Sequence, residues 1–152
     1  MSRYLTLAVT LGIVLPLDQG SKFLASSLLS PYETCPVIKG FFNLTLIFNK
    51  GALFGMGGGV PLSWLFVPVS VIALAFIFFY LRSAHQNETL ALSLIFSGAL
   101  GNLIDRLARG AVVDFLDFHL AGYHWPAFNL ADVAITVGVG LFILSLLSRR
   151  RR

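Results

Sequence analysis

The sequence predicts a membrane all-α fold, a four-transmembrane-helix bundle with a small extracytoplasmic β-element. Three observations carry this reading. Of the 152 residues, 57% are hydrophobic and 12% charged, roughly half the charged share of an ordinary soluble domain. The apolar residues gather in four runs, at about 4–29, 61–81, 90–107 and 129–147, each near the ~20 residues needed to cross a bilayer. Between the first two runs the pattern changes from helical to alternating. The whole chain, 1–152, is read as a single domain.

The first run follows Arg3 and has the length of a signal-peptide core. No Ala-x-Ala site closes it, and the helical pattern continues past Asp18 and Lys22, so it is read as a retained span. Pro16 predicts a kink within it. In the connection that follows, Phe42, Leu44, Leu46 and Phe48 alternate with Asn43, Thr45 and Asn49, which is the period of a strand. Ile47 breaks the alternation, and Gly51, Gly55 and Gly57 to Gly59 end it in a flexible turn. Such a strand can rest its apolar face on lipid or on a greasy ligand. Ala111 to Phe118 reads as a second short strand that leaves Asp114 near the bilayer surface.

On the third run, Ser93, Ser97 and Gly101 form a small-residue stripe that admits another helix closely. Asn102, Asp105, Arg106 and Arg109 form a polar stripe. Arg109 is read as surfacing into headgroups, and the deeper Asn102 as shaping a site. On the fourth run, Pro126 precedes a start at Asn129, and an N-cap there puts Asp132 at N3, where it can reach back to the cap. Asp132, Thr136 and Gly140 continue along one face of little bulk, with room for a substrate chain or another helix.

The net charge of +4 does not point to nucleic acid, because four of the eleven basic residues are the run Arg149 to Arg152 directly after an apolar segment. That pattern is a cytoplasmic anchor. With both termini inside, Arg3, Arg82 and Arg149 to Arg152 face the cytoplasm, against Lys39, Lys50 and Arg109 outside. An even number of spans satisfies this, and the connections at about 30–60 and 108–128 then face outward. The single cysteine, Cys35, can form no internal disulfide and is read as an ordinary thiol in a polar loop.

Four of the seven acidic residues lie between 101 and 132, and each carboxylate meeting hydrocarbon costs about 2.5–3.5 kcal/mol on insertion scales. Asp18 and Lys22, spaced i, i+4, can neutralise each other on one helix face. Asp114 and Asp132 are read as a two-carboxylate centre. Two carboxylates sharing a proton can activate water with one member and polarise a peptide carbonyl with the other. A helix N-terminus beside Asp132 favours that residue as the ionised member.

Rival chemistries are a metal peptidase using Asp114, Asp117, His119 and His124, a membrane proton or ion carrier, and a non-catalytic lipid-binding scaffold. The histidines are five apart, unlike the i, i+4 pair of a helical zinc motif. A carrier predicts acids near mid-membrane, whereas here they gather at one face.

The pieces LDQGSK (17–22), FNKGALFG (48–55), GNLIDR (101–106), VVDF (112–115) and FNLAD (128–132) resemble, in order, the motifs of lipoprotein signal peptidase, the bacterial signal peptidase II family. The resemblance implies an aspartic endopeptidase of the bacterial inner membrane, multi-pass, with its active site near the outer face. It would clip signal peptides from prolipoproteins just before a diacylglyceryl-modified cysteine. By position it implies Asp114 and Asp132 as the catalytic pair. It further implies Asn49 and Gly51 on the outer β-element, Asn102 and Arg106 on the third helix, Asn129 beside the second aspartate, and Asp18 and Lys22 on the first span. It implies no cofactor and no metal, inhibition by globomycin-type compounds and contact with membrane lipid. A monomer is expected, although the sequence leaves the oligomeric state open. The chain departs from the family pattern at Leu53, often alanine, and at Val133, often serine. Cys35 is not expected to be lipidated, since Tyr32-Glu33-Thr34 is no lipobox.

Overall fold

Residues 2–51 and 63–150 are described by a computed structural model. The chain order is α1 (Arg3–Leu28), β1 (Thr34–Ile38), β2 (Phe42–Asn49), α2 (Ser63–Leu81), α3 (Gln86–Arg109), β3 (Val112–Leu120), β4 (Tyr123–His124) and α4 (Leu130–Arg150). The expected four helices and the two expected strands are present. All four helices are long and apolar enough to cross a membrane. Their flanks remain apolar where a soluble protein would be polar: Phe23, Ile72 and Phe76 are each more than 60% exposed, a surface suited to lipid. The anticipated turn at Gly55 and Gly57 to Gly59, the start of the second span at 61–62 and the departure at Leu53 lie outside the described residues.

α3 is the central helix and packs against α1, α2 and α4. Its small residues explain why. A Cβ added at Gly98 would sit 2.4 Å from the Ala131 carbonyl oxygen of α4, and one at Gly101 would sit 2.5 Å from Asp18 Oδ2 of α1. On α4, a Cβ at Gly138 would meet the Ala91 carbonyl oxygen at 2.7 Å. The backbones approach as closely as side-chain-free positions permit, which is how helices gain dispersion contact in lipid. Ser93 and Ser97 are fully buried between the helices, and their hydroxyls bond the carbonyls one turn earlier, at 2.7 Å each. α1 runs through Pro16 as one continuous helix.

The start of α1, the end of α4 and the α2–α3 turn lie at one end of the bundle. Arg3 donates to the Arg82 carbonyl, and Arg149 reaches buried Glu88 at 2.9 Å. Glu88 Oε2 also accepts the His85 backbone N–H at 3.1 Å, so this carboxylate holds the start of α3 and the end of α4 together. Leu7, Leu81, Ala84 and Leu92 form the apolar core at this end.

The opposite end carries a four-stranded antiparallel sheet in the order β1-β2-β3-β4. Phe42 faces Phe118 and Asn43 faces Asp117, but the pairing shifts between Leu44 and Ile47. The alternation fails in the sequence at the same place. Along β2 the polar Asn43 and Thr45 are buried together with Leu46, whereas Phe42 and Leu44 remain half-exposed. Phe42 stacks on Phe118 at 4.6 Å, and Phe118 stacks on Phe128 at 5.8 Å. The sheet thus keeps aromatic rings available on one side, while inside it Asn43 donates to Asp117 at 2.9 Å. Cys35 is exposed, as expected, but sits on strand β1 rather than in a loop.

Candidate functional site

Asp114 lies on β3 and Asp132 in the first turn of α4. Pairing of β3 with β2 brings Asn49 alongside, and its Nδ2 donates to Asp114 Oδ2 at 3.0 Å. Gly51, at φ +81°, returns its backbone N–H to Asn49 Oδ1 at 2.9 Å. A side chain would strain that left-handed position. Because the Gly51 N–H can only donate, it fixes the Asn49 oxygen toward itself and the Asn49 N–H toward Asp114.

Asn129 caps α4, and the cap is reciprocal. Asp132 N–H donates to Asn129 Oδ1 at 3.0 Å, and Asn129 N–H donates to Asp132 Oδ2 at 3.2 Å. Capping of the helix by Asp132 and a place for it beside Asp114 therefore coexist. With its oxygen held by the cap, Asn129 turns its Nδ2 to Asp114 Oδ1 at 2.7 Å and to Asn102 Oδ1 at 3.3 Å. Asn102 Nδ2 donates to Asp132 Oδ1 at 2.8 Å. Three asparagine amides, from β2, α3 and the start of α4, thus aim N–H groups at the two carboxylates.

Burial above all raises the Asp114 carboxyl, to about 6, and the charge of Asp132 adds to this against the Asn49 and Asn129 donors. Arg106 on α3 lies within the electrostatic reach of Asp132, Asp114 and Asp105. Its guanidinium sits 5.4 Å from the centre of the Phe66 ring on α2 and donates to the Asn102 carbonyl at 3.4 Å. It therefore flanks the carboxylates without a hydrogen bond to either. Beside Asp132 opens a pocket of about 260 Å³ lined by Trp125, Phe128, Val133, Thr136 and Val137. Thr136 and Gly140 are exposed along the same helix, so the low-bulk face expected there is open.

Behind this site sits a buried charge cluster. Lys22 Nζ lies 2.8 Å from Asp18 Oδ2 and 2.8 Å from Asp105 Oδ2, with all three side chains fully buried. Asp18 Oδ1 accepts the Ala131 backbone N–H at 2.9 Å, and Asp105 Oδ2 accepts the Val113 N–H at 3.3 Å. The nine residues expected at the site, Asp18, Lys22, Asn49, Gly51, Asn102, Arg106, Asp114, Asn129 and Asp132, are accordingly brought to one end of the bundle. Two others join them without having been singled out. Asp105 appeared only as part of a polar stripe, although its i+3 offset from Asn102 was a usable signal. Gln19 bridges Asp18, Asp105 and the Gly101 carbonyl at 3.1–3.2 Å. Arg109 does not simply surface: it pairs with Asp105 one turn earlier.

The chain matches the family described as Signal peptidase (SPase) II over residues 10–148. The chain belongs to that family. It is 44% identical over 149 residues to the lipoprotein signal peptidase of Syntrophus aciditrophicus, covering 94% of this chain and 92% of that one. Against the lipoprotein signal peptidase of Desulforapulum autotrophicum it is 49% identical over 138 residues, 86% and 85% of the two chains. Among solved structures, a bacterial membrane enzyme determined by the in meso method superposes with a TM-score of 0.84 at 34% identity, covering 93% and 92%. This signal peptidase II family member is thus a membrane protease whose fold matches a solved relative over nearly its full length.

Asp117, by contrast, stands apart from the two aspartates. Burial would raise it, but hydrogen bonds from Asn43 at 2.9 Å and His124 at 2.8 Å prevail and hold it below the usual carboxylate range. His119 and His124 stack on each other at 4.7 Å. Among the described residues, no three His, Cys, Asp or Glu side chains converge as a metal site.

Proposed function

We propose that this protein is an aspartic endopeptidase that removes the signal peptide from diacylglyceryl-modified prolipoproteins, cutting before the lipidated cysteine. The observation that carries the reading is the set of three asparagine N–H donors trained on Asp114 and Asp132 at 2.7–3.0 Å. Oriented donors at two carboxylates suit a pair that carries one negative charge and one proton.

In this reading Asp132 is the base and Asp114 holds the proton. Asp132 takes a proton from a water whose oxygen attacks the scissile carbonyl carbon. The Asp114 proton passes to the carbonyl oxygen, giving a neutral gem-diol. The C–N bond then breaks as Asp132 returns its proton to the leaving amine and a diol hydroxyl returns one to Asp114. Arg106 lends positive charge without entering the proton transfers. Asp18, Lys22, Asn102 and Asn129 shape the site. The pocket beside Asp132 and the aromatic side of the sheet would hold apolar parts of a lipidated substrate. The enzyme acts from the bacterial inner membrane with both termini cytoplasmic, as the basic residues favour.

The test is cleavage of a purified diacylglyceryl-modified prolipoprotein in detergent, beside the unmodified form and with a chelator present. Cleavage of the modified form alone, insensitive to chelator and blocked by globomycin, is expected. Loss of cleavage with chelator would replace this mechanism with a metal-dependent one.

A further inference from the structure

Lys22 is fully buried, and its ammonium meets three side-chain oxygens. An ammonium has three donors and no acceptor. Here they reach Asp18 Oδ2 at 2.8 Å, Asp105 Oδ2 at 2.8 Å and Asn102 Oδ1 at 3.0 Å. The first two contacts balance charge. The third goes to a neutral amide, and it has a directional consequence.

An asparagine amide has a donor end and an acceptor end of nearly the same shape, and either could face Asp132. Against an ammonium only the oxygen end is tolerated. The Asn102 nitrogen must then point the other way, and it lies 2.8 Å from Asp132 Oδ1. Asn49 and Asn129 are oriented by backbone N–H groups, from Gly51 and Asp132. The Asn102 oxygen instead takes side-chain donors, Lys22 and the longer 3.3 Å contact from Asn129. The charge-assisted bond is the stronger of the two.

We propose that Lys22 is a positioning residue: through the Asn102 amide it aims an N–H at Asp132 and so favours the ionised form of that carboxylate. This rests on the two-aspartate reading above. The charged groups facing the pair are Arg106 and Asp105 of α3, Lys22 and Asp18 of α1, and each aspartate toward the other. Flipping the amide would turn its oxygen toward Asp132, oppose ionisation there and move the pair's first titration step upward.

The test compares wild type, Asn102→Leu, Asp18→Asn/Lys22→Met, and the triple variant. The double variant removes one charge of each sign, so the net charge of the cluster is unchanged. The readouts are ¹³C-carboxyl NMR titration of aspartate-labelled protein, which needs no activity, and the pH profile of prolipoprotein cleavage. Both Asn102→Leu and the double variant should move the pair's lower titration step up by about one pH unit. Cleavage should fall about a hundredfold in kcat with KM little changed, and the triple variant should match Asn102→Leu alone.

An unmoved titration step in folded Asn102→Leu would overturn the proposal. So would an equal extra shift when the double change is added to Asn102→Leu, because Lys22 would then act through its field alone. Asp114→Asn and Asp132→Asn are run alongside. Persistent cleavage by either sinks the two-aspartate reading, whereas the titration still decides how the Asn102 amide is aimed.

Discussion

Asp18 Oδ1 accepts the backbone N–H of Ala131 at 2.9 Å, across 113 residues of sequence. The first helix therefore supplies an acceptor to the first turn of the last one, where backbone N–H groups have no partner within their own helix. Asp18→Ala should remove that acceptor and also leave Lys22 short of one counter-charge, costing about 3–5 kcal/mol. Asp18→Asn keeps an oxygen for Ala131 and should cost less. Thermal unfolding in detergent should rank wild type above Asn and Asn above Ala; equal melting of the two variants would refute the capping role.

Close approach of α3 to α4 makes a second, steric prediction. Gly98→Ala places a methyl 2.4 Å from the Ala131 carbonyl oxygen, so the helices must separate. Overpacking of this kind costs about 1–3 kcal/mol. Gly20 on α1 has nothing within 4 Å of the added methyl, and Gly20→Ala should stabilise by about 0.5–1 kcal/mol. Opposite shifts in melting temperature are expected from the same substitution at the two positions.

The pH dependence of cleavage follows from Asp114, raised to about 6 chiefly by burial. The proposed mechanism needs its proton, so kcat/KM, which reports the free enzyme, should fall as pH rises through about 6. Bound substrate excludes more water and raises the carboxyl further, so the corresponding limb of kcat should lie at higher pH. A kcat limb below that of kcat/KM would contradict the assignment of the proton to Asp114.

Asp117 behaves in the opposite sense. Its carboxyl is held below its ordinary range despite burial, by the Asn43 and His124 donors. A depressed carboxyl contributes stability above its unfolded value, and that contribution is lost as pH falls through the folded one. The protection of amides in β3 and β4, measured against their intrinsic exchange rates, should therefore fall below the ordinary carboxylate range, near pH 4. In Asp117→Asn the same strands should be less protected at neutral pH, and their protection should change little further on acidification.

The sequence was most legible where lipid dictates it. Hydropathy located α1 and α4 to within a few residues, because a span must be apolar over nearly its whole length. The apolar run at 90–107 is shorter than α3, because the helix ends carry Glu88 and Arg109, which the fold satisfies by pairing with Arg149 and Asp105. Partners 61 residues apart leave no local pattern. β1 escaped notice because all five of its residues are exposed, so no burial alternation marks it. The hairpin from β3 to β4 turns at Ala121 and Gly122, both with positive φ, and alanine there gives a weaker turn signal than asparagine would. The polar stripe of α3 was visible, but the direction of each amide was not, because it depends on donors from three other elements.

The measurement that bears most directly on the central claim is cleavage of a diacylglyceryl-modified prolipoprotein by wild type, Asp114→Asn and Asp132→Asn, each purified and matched for folding by thermal unfolding. Both substitutions keep size and shape while removing the ionisable group, and activity should drop by at least about 10⁴-fold in each, since neither amide can make the proton transfers to and from water, the carbonyl oxygen and the leaving amine. Cleavage within tenfold of wild type by either variant would contradict the two-carboxylate mechanism.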